Sequence, residues 1–262
     1  VARVAEAKEH GAVSQPAVNS DGSVAVGMIS MYPSEPLGTV ARGVELYRGV
    51  LDDGRAVTVK RVDRAVRGAA TERELELMVA MEMPRNVVSY YALERDADHL
   101  YLALTPCTCT LDAWVAWRMK RAAATHRLSL TFNLICTMHG IARGLQWLHR
   151  NGIVYGDVAP NKILIDSQGN PRLCDLALAK YAATPSQQQS QQLYQQQAQK
   201  QGKECDEDEQ EFEGTRGWAA PEVLVQGRRA VSAASDVFSL GCLYQYMTSG
   251  EHPFGSTAEE RE

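Results

Sequence analysis

The sequence predicts an α+β fold in two lobes, β-rich at the front and helical behind. Three observations predict it. Residues 37–105 hold roughly five short strand-like runs and a single helical segment. Residues 106–262 carry long amphipathic stretches at helical spacing. A chain of 262 residues, 45% hydrophobic and 23% charged, is large enough to bury a substantial core.

The elements follow in order. Residues 1–36 lack sustained periodicity and end in "MYPSEPLG", so a linker or disordered tail is expected there. "VELYRGVL" and "AVTVKRV" alternate as strands, and "DDG" between them is a hairpin-turn signal. "ATERELELMVAME" (70–82) reads as a helix with Leu75, Met78, Val79 and Glu82 along one face. "NVVSYYALE" and "HLYLALT" are two more strands. "TLDAWVAWRM" is a short helix. "TFNLICTMHGIARGLQWLHR" is a long one, with Leu134, Met138, Ile141, Leu145 and Leu148 as its core stripe. Two short strands, "KILID" and "PRLCD", are joined by the turn-rich "SQGN". "SAASDVFSLGCLYQYMTSG" is a helix that Ser232 or Ser235 caps.

Residues 184–213 interrupt this pattern. A glutamine tract is followed by seven acids within 204–213. The segment has nothing with which to build a core, and a low-complexity insert is expected. Thr184, Ser186, Ser190 and Tyr194 are modifiable in type, but a solvated tract under little constraint is the better account of them. Outside the acidic block 25 acids face 27 bases, so the net charge of −5 is local and gives no sign of direct nucleic-acid binding. The six cysteines show no zinc-ligand spacing and read as reduced thiols of a cytosolic domain. No apolar run is long enough to span a membrane, and no signal peptide is visible. The chain starts at Val1, so a fragment of something longer is expected.

Several chemistry-bearing residues stand in a telling order. Lys60 lies on a strand and Glu74 on the following helix. Asp157 sits in a loop between apolar runs, and Asp175 ends a strand pair. "WAAPE" holds Ala220, Pro221 and Glu222, and Asp236 stands in "SDVFSLGC". Each alone has a bland reading; Glu74 alone is best taken as an exposed helix acid. Phosphoryl transfer needs a phosphate cradle, a lysine held by an acid, metal ligands and an acid that orients the acceptor, in this order.

On these residues the chain resembles the eukaryotic protein-kinase domain over 37–255. The stretches "YRGVLDDGRAVTVKRV", "HLYLALTPCTCTL", "GIARGLQWLH", "GTRGWAAPEVL" and "DVFSLGCLYQYMTSGEHPFG" are most similar to the inositol-requiring-enzyme family, unfolded-protein-response sensors that join a kinase to a ribonuclease. The resemblance implies a kinase N-lobe over 37–105 and a partial C-lobe over 106–262. It implies ATP against Gly38, Gly43, Lys60, Glu74, Leu104, Thr105, Cys107 and Leu164, with the hinge at Thr105–Cys107. It implies Mg²⁺ on Asp175 and catalytic roles for Asp157 and for whatever replaces its neighbours, here Lys162. It also implies a homodimer through kinase domains, a protein substrate, and the cytosolic face of the endoplasmic reticulum if the segment belongs to a membrane sensor.

The motifs depart from the family pattern. In the glycine loop Val40 replaces the middle glycine and Glu45 the final valine, although a register shift would turn Val44 inward instead. Thr58 replaces an alanine beside the adenine. In the catalytic loop Tyr155 replaces the histidine and Gly156 the arginine. Ala159 replaces the γ-phosphate lysine and Lys162 the metal-binding asparagine. A protonated lysine has no lone pair for a metal. Asn161 is one residue early for the ligand role. D-F-G becomes Asp175, Leu176, Ala177. Two readings follow: a catalytically impaired pseudokinase acting as a nucleotide-responsive scaffold, or an active Ser/Thr kinase in which Lys162 supplies the missing positive charge. A decayed gene fragment without function is the bland third.

Overall fold

The computed structural model describes residues 15–122, 127–182, 214–215 and 217–255. The low-complexity insert expected at 184–213 lies outside them. The chain forms two compact units, one of residues 1–144 with 160–177, the other of 145–159 with 178–262. The division therefore does not fall at residue 105. The cause is pairing: residues 163–173 return to the first unit, where Leu173 bonds the backbone of Asn86 and Val88.

The strands are β1 (Ala17–Val18), β2 (Val24–Val26), β3 (Ile29–Ala41), β4 (Val44–Leu51), β5 (Ala56–Asp63), β6 (Tyr90–Arg95), β7 (His99–Leu104), β8 (Cys109–Thr110), β9 (Ile153–Val154), β10 (Ile163–Ile165), β11 (Pro171–Leu173) and β12 (Lys180–Tyr181). The α-helices are α1 (Arg64–Ala80), α2 (Leu111–Ala122), α3 (Arg127–Arg150), α4 (Pro221–Gln226) and α5 (Ala233–Ser249).

In the first unit seven antiparallel strands run in the order β1-β2-β3-β4-β5-β7-β6. Strands β1 and β2 and the first part of β3 thus lie within 17–36, which corrects the expected tail. Ile29 and Met31 pack into a core with Val57, Val59 and Tyr101. Pro33 and Pro36 hid this strand from the sequence. β3 accommodates them where its register against β4 shifts, as proline requires in a sheet. The β4–β5 hairpin closes over Asp52–Gly54, with Leu51 N–H donating to Arg55 O at 2.9 Å.

Helix α1 starts six residues before the expected Ala70, because the Asp63 carboxylate caps the amides of Ala65 and Val66. Its buried face is Thr71, Glu74, Leu77 and Met78. Val79 and Glu82 are exposed, so the buried stripe is rotated from the one the hydropathy pattern predicts. A carboxylate, Glu74, occupies the centre of the buried face. A second sheet of the first unit has the order β11-β10-β8. Along α3, Leu134, Ile141, Leu145 and Leu148 are buried as the helical spacing requires.

In the second unit β9 pairs with β12. Ser232 and Ser235 form a reciprocal capping box at the start of α5, and Gly250 ends that helix in a left-handed conformation. Trp218 meets His252 and Tyr246 edge-on, at 4.6 and 5.6 Å between ring centres. Among the described residues no helix is long and apolar enough to cross a membrane.

Candidate functional site

Strand β5 presents Lys60 on the same face as Thr58 and Val62, and its cross-strand neighbours Leu46 and Leu102 are buried. A lysine there needs an anion. It finds two: Lys60 Nζ donates to Glu74 Oε2 at 2.5 Å and to Asp175 Oδ1 at 2.7 Å. Glu74 Oε1 accepts the Leu176 amide at 3.1 Å, which ties α1 to the residue after Asp175. Lys162 Nζ donates to the other Asp175 oxygen, Oδ2. None of the four is more than 5% exposed. Two cations and two anions close on one another in direct ion pairs.

The protonation preferences follow from that closure. Burial disfavours the Lys60 ammonium, but Asp175 and Glu74 override it and hold its pKa above the usual lysine range. Burial disfavours the Asp175 carboxylate, but Lys60 and Lys162 override it and hold its pKa below the usual carboxylate range. For Glu74 burial prevails and, with the Asp175 anion, outweighs the pull of Lys60, so its pKa is raised. Asp175 itself has φ +61°, an uncommon conformation for a residue with a side chain.

The residues expected around a base lie together in the same unit. Leu104 is opposite Thr58 in the β5–β7 ladder, and both are fully buried. Thr105 is fixed by Ser89, whose amide donates to Thr105 Oγ1 at 2.8 Å. The Cys107 amide donates to Thr58 Oγ1 at 2.9 Å. Burial pushes the Cys107 thiol up to about 12. Leu164 is buried on β10.

The glycine loop is the turn from β3 to β4. Its Gly38 lies against Thr110, whose Cγ2 is 3.1 Å from where a Cβ would stand. Gly43 has φ +72°, and a Cβ there would meet Asp63 and Val66 at 3.2–3.3 Å. Its role is to close the turn against the start of α1. Val40 is buried, and its carbonyl accepts from Asn161 Nδ2 at 2.8 Å. Glu45 faces away from Lys60, toward Tyr47 and Arg61, and Val44 takes the buried position. The register therefore turns Glu45 away from the lysine face.

Asp157 belongs to the second unit. It is buried, and its Oδ1 accepts the Thr215 amide at 2.7 Å. The loop before it hangs on Asp236, which accepts the amides of Tyr155 and Gly156 at 2.8 Å each and meets His149 Nε2 at 2.7 Å. Gly156 has φ +79°, and a Cβ there would stand 3.1 Å from Leu178 O. Ala159 is fully buried and offers no charge.

The donor set does not fit magnesium. Mg²⁺ takes hard oxygen ligands in octahedral geometry. Both Asp175 oxygens already receive ammonium groups, one from Lys60 and the other from Lys162. Among the described residues no three His, Cys, Asp or Glu side chains group to hold a metal. Among the contacts not foreseen from the sequence are Thr58 with Cys107, Asn161 with Val40, and Thr215 with Asp157. Of these only the first had a signal, the hydroxyl in an alanine's place.

Comparison with known proteins adds to this geometry. A family model described as "Protein kinase domain" matches residues 36–262. Over 245 residues the chain is 34% identical to the serine/threonine-protein kinase/endoribonuclease ire-1 of Caenorhabditis elegans, covering 90% of this chain and 23% of that protein. It is 34% identical over 239 residues to the human serine/threonine-protein kinase/endoribonuclease IRE2, covering 88% and 23%. It is 30% identical over 264 residues to the sensor for unfolded proteins in the ER ire1 of Schizosaccharomyces pombe, covering 91% and 22%. The chain thus spans less than a quarter of the length of these relatives.

Proposed function

The chain belongs to the protein kinase domain family, and on that premise we propose that it is a catalytically impaired pseudokinase, the scaffold domain of an inositol-requiring-enzyme-like sensor. The observation that carries the reading is the buried set Lys60–Glu74–Asp175–Lys162, in which each lysine is committed to a carboxylate. Phosphoryl transfer needs uncommitted charge, a lysine for the phosphates and carboxylates for metal. Here each of those groups is spent on another side chain. Losing the second metal ligand and the γ-phosphate lysine removes two transition-state contacts of about 2–4 kcal/mol each. That amounts to a roughly thousand-fold or greater loss in rate.

A scaffold needs shape, and shape is what the set provides. The relatives' names join a kinase to an endoribonuclease or call the protein an unfolded-protein sensor. We extend to this segment a role in self-association through the kinase domain on the cytosolic face of the endoplasmic reticulum, with no direct nucleic-acid contact of its own. Whether a nucleotide biases the scaffold depends on the base end of the cleft, where Thr58 stands.

The deciding experiment is transfer of radiolabelled phosphate from ATP with Mg²⁺, to itself and to a generic protein substrate, by wild type and Lys162→Ala. Background counts in both are expected. Transfer by wild type that Lys162→Ala abolishes would establish the rival reading, an active Ser/Thr kinase with Lys162 as its built-in charge. Sedimentation across concentration tests the scaffold: a strict monomer throughout would remove the self-association part.

A further inference from the structure

The Cys107 amide is the backbone donor that a base bound at this hinge would use, since a few such groups fix a heteroaromatic ligand in its pocket. It is already taken. Thr58 Oγ1 accepts it at 2.9 Å, across 49 positions of sequence. The tie is therefore no local turn bond; it joins the centre of β5 to the segment after β7. Thr58 is fully buried and Cys107 nearly so. A β-branched side chain on a strand has few rotamers to move into, so a competing acceptor cannot displace the hydroxyl cheaply.

The other end of the same unit is also engaged. Asn161 Nδ2 holds the carbonyl of buried Val40 in the glycine loop. Lys60 is divided between Glu74 and Asp175. A nucleotide would have to break a bond at the base, at the loop and at the lysine, whose ammonium is already shared between two carboxylates.

We propose that Thr58 is an internal plug of the base site. Its hydroxyl stands in for the acceptor nitrogen of a purine, so the first unit holds its closed arrangement without ligand and excludes adenine nucleotides, with or without metal. Thr58 is a specificity-determining residue in the negative sense: removing its hydroxyl and methyl together creates a purine-accepting site. The proposal concerns the same cleft as the pseudokinase reading but can fail separately, because binding and phosphate transfer are read by different assays.

The test is titration of the whole chain with adenosine and with ADP, in EDTA and in Mg²⁺, by calorimetry and thermal melting. Wild type is expected to show no heat of binding and no change in melting temperature at millimolar ligand. Thr58→Ala is expected to melt lower, because the Cys107 amide loses its acceptor. Adenosine should then restore its melting temperature and bind at least about tenfold tighter than to wild type. Thr58→Val keeps the bulk and also loses the acceptor; it is expected to melt lower without rescue by adenosine. Wild type binding adenosine or ADP within twofold of Thr58→Ala overturns the plug, as does a folded Thr58→Ala that adenosine does not stabilise. If Thr58→Ala does not fold, hydrogen exchange of the Cys107 amide in wild type decides. Protection that ADP leaves unchanged supports the plug, and fast exchange or a change on adding ADP refutes it. ADP binding by wild type without phosphate transfer would sink the plug and spare the pseudokinase reading. Phosphate transfer would sink the latter directly.

Discussion

Lys162→Ala is the perturbation that bears hardest on the buried charges. Lys162 and Asp175 are both almost fully buried, and Asp175 gives one oxygen to each lysine. Removing one partner of a buried pair costs about 3–5 kcal/mol, because a charge is left uncompensated. Asp175 keeps Lys60, so the lower end applies, about 3 kcal/mol. At about 2–4 °C per kcal/mol for a chain of this size, the melting temperature should fall by about 6–12 °C. A second effect separates charge from packing. With Lys162 gone, Asp175 Oδ2 becomes a hard oxygen ligand that a divalent cation can reach. Mg²⁺ or Ca²⁺ at about five times its dissociation constant returns about 1 kcal/mol to the variant and nothing to wild type. Lys162→Met keeps the apolar stem and loses only the charge, so its deficit isolates the ion pair. Thermal melting with and without the metal reads all of this. A variant within about 2 °C of wild type, or a wild type that gains as much from metal, would refute the view of Lys162 as an internal counterion.

Other consequences follow from the same contacts. Asp175 has a depressed folded-state pKa, so its contribution is present above the unfolded carboxylate value of about 3.9 and is lost as pH falls through the folded value. Denaturant titrations should show the stability gap between wild type and Asp175→Asn narrowing below about pH 4. Lys60 has a raised pKa, so its contribution is complete below about 10.4 and is lost only as pH rises through the folded value. The gap to Lys60→Met should therefore stay open through pH 10. Asp236→Asn weakens bonds to two amides and to His149 that each draw on a charged acceptor. It should cost about 2–4 kcal/mol and speed hydrogen exchange at Tyr155 and Gly156. Gly156→Arg restores the family residue on a backbone at φ +79° and should destabilise the fold by at least about 1–2 kcal/mol in denaturant unfolding.

What the sequence discloses depends on the range of the interaction. The β4–β5 hairpin and the Ser232 cap are local, and turn and capping chemistry announce them within a few residues. The pairing of Lys60 with Glu74 was legible only as an order of elements, since a lone helix acid reads as solvated. Strand β3 was hidden because its prolines break the alternation by which a strand is recognised, while the ladder to β4 absorbs them in shifted register. The rotated face of α1 has a related cause. A hydropathy stripe cannot count Glu74 as buried, because the cation that makes its burial tolerable comes from β5. The bonds from Cys107 to Thr58 and from Asn161 to Val40 span 49 and 121 positions, so no window of sequence contains both ends.

The departures from the kinase pattern share one physical consequence. A buried carboxylate such as Asp175 must be neutralised in any folded state. A metal does this conditionally, arriving with the nucleotide and leaving an open coordination sphere for chemistry. An ammonium on the same chain does it permanently and leaves nothing open, because nitrogen without a lone pair cannot ligate. Thr58 acts in the same way on the Cys107 amide, supplying from within the acceptor that a base would bring from outside. Each substitution therefore stabilises the closed unit by the same contact that removes a reactive or binding group. On the pseudokinase reading proposed above, loss of catalysis and retention of the fold need no separate causes. Reversing one internal contact should at once lower stability and restore a dependence on ligand, which is what distinguishes a self-satisfied cleft from one that has merely decayed.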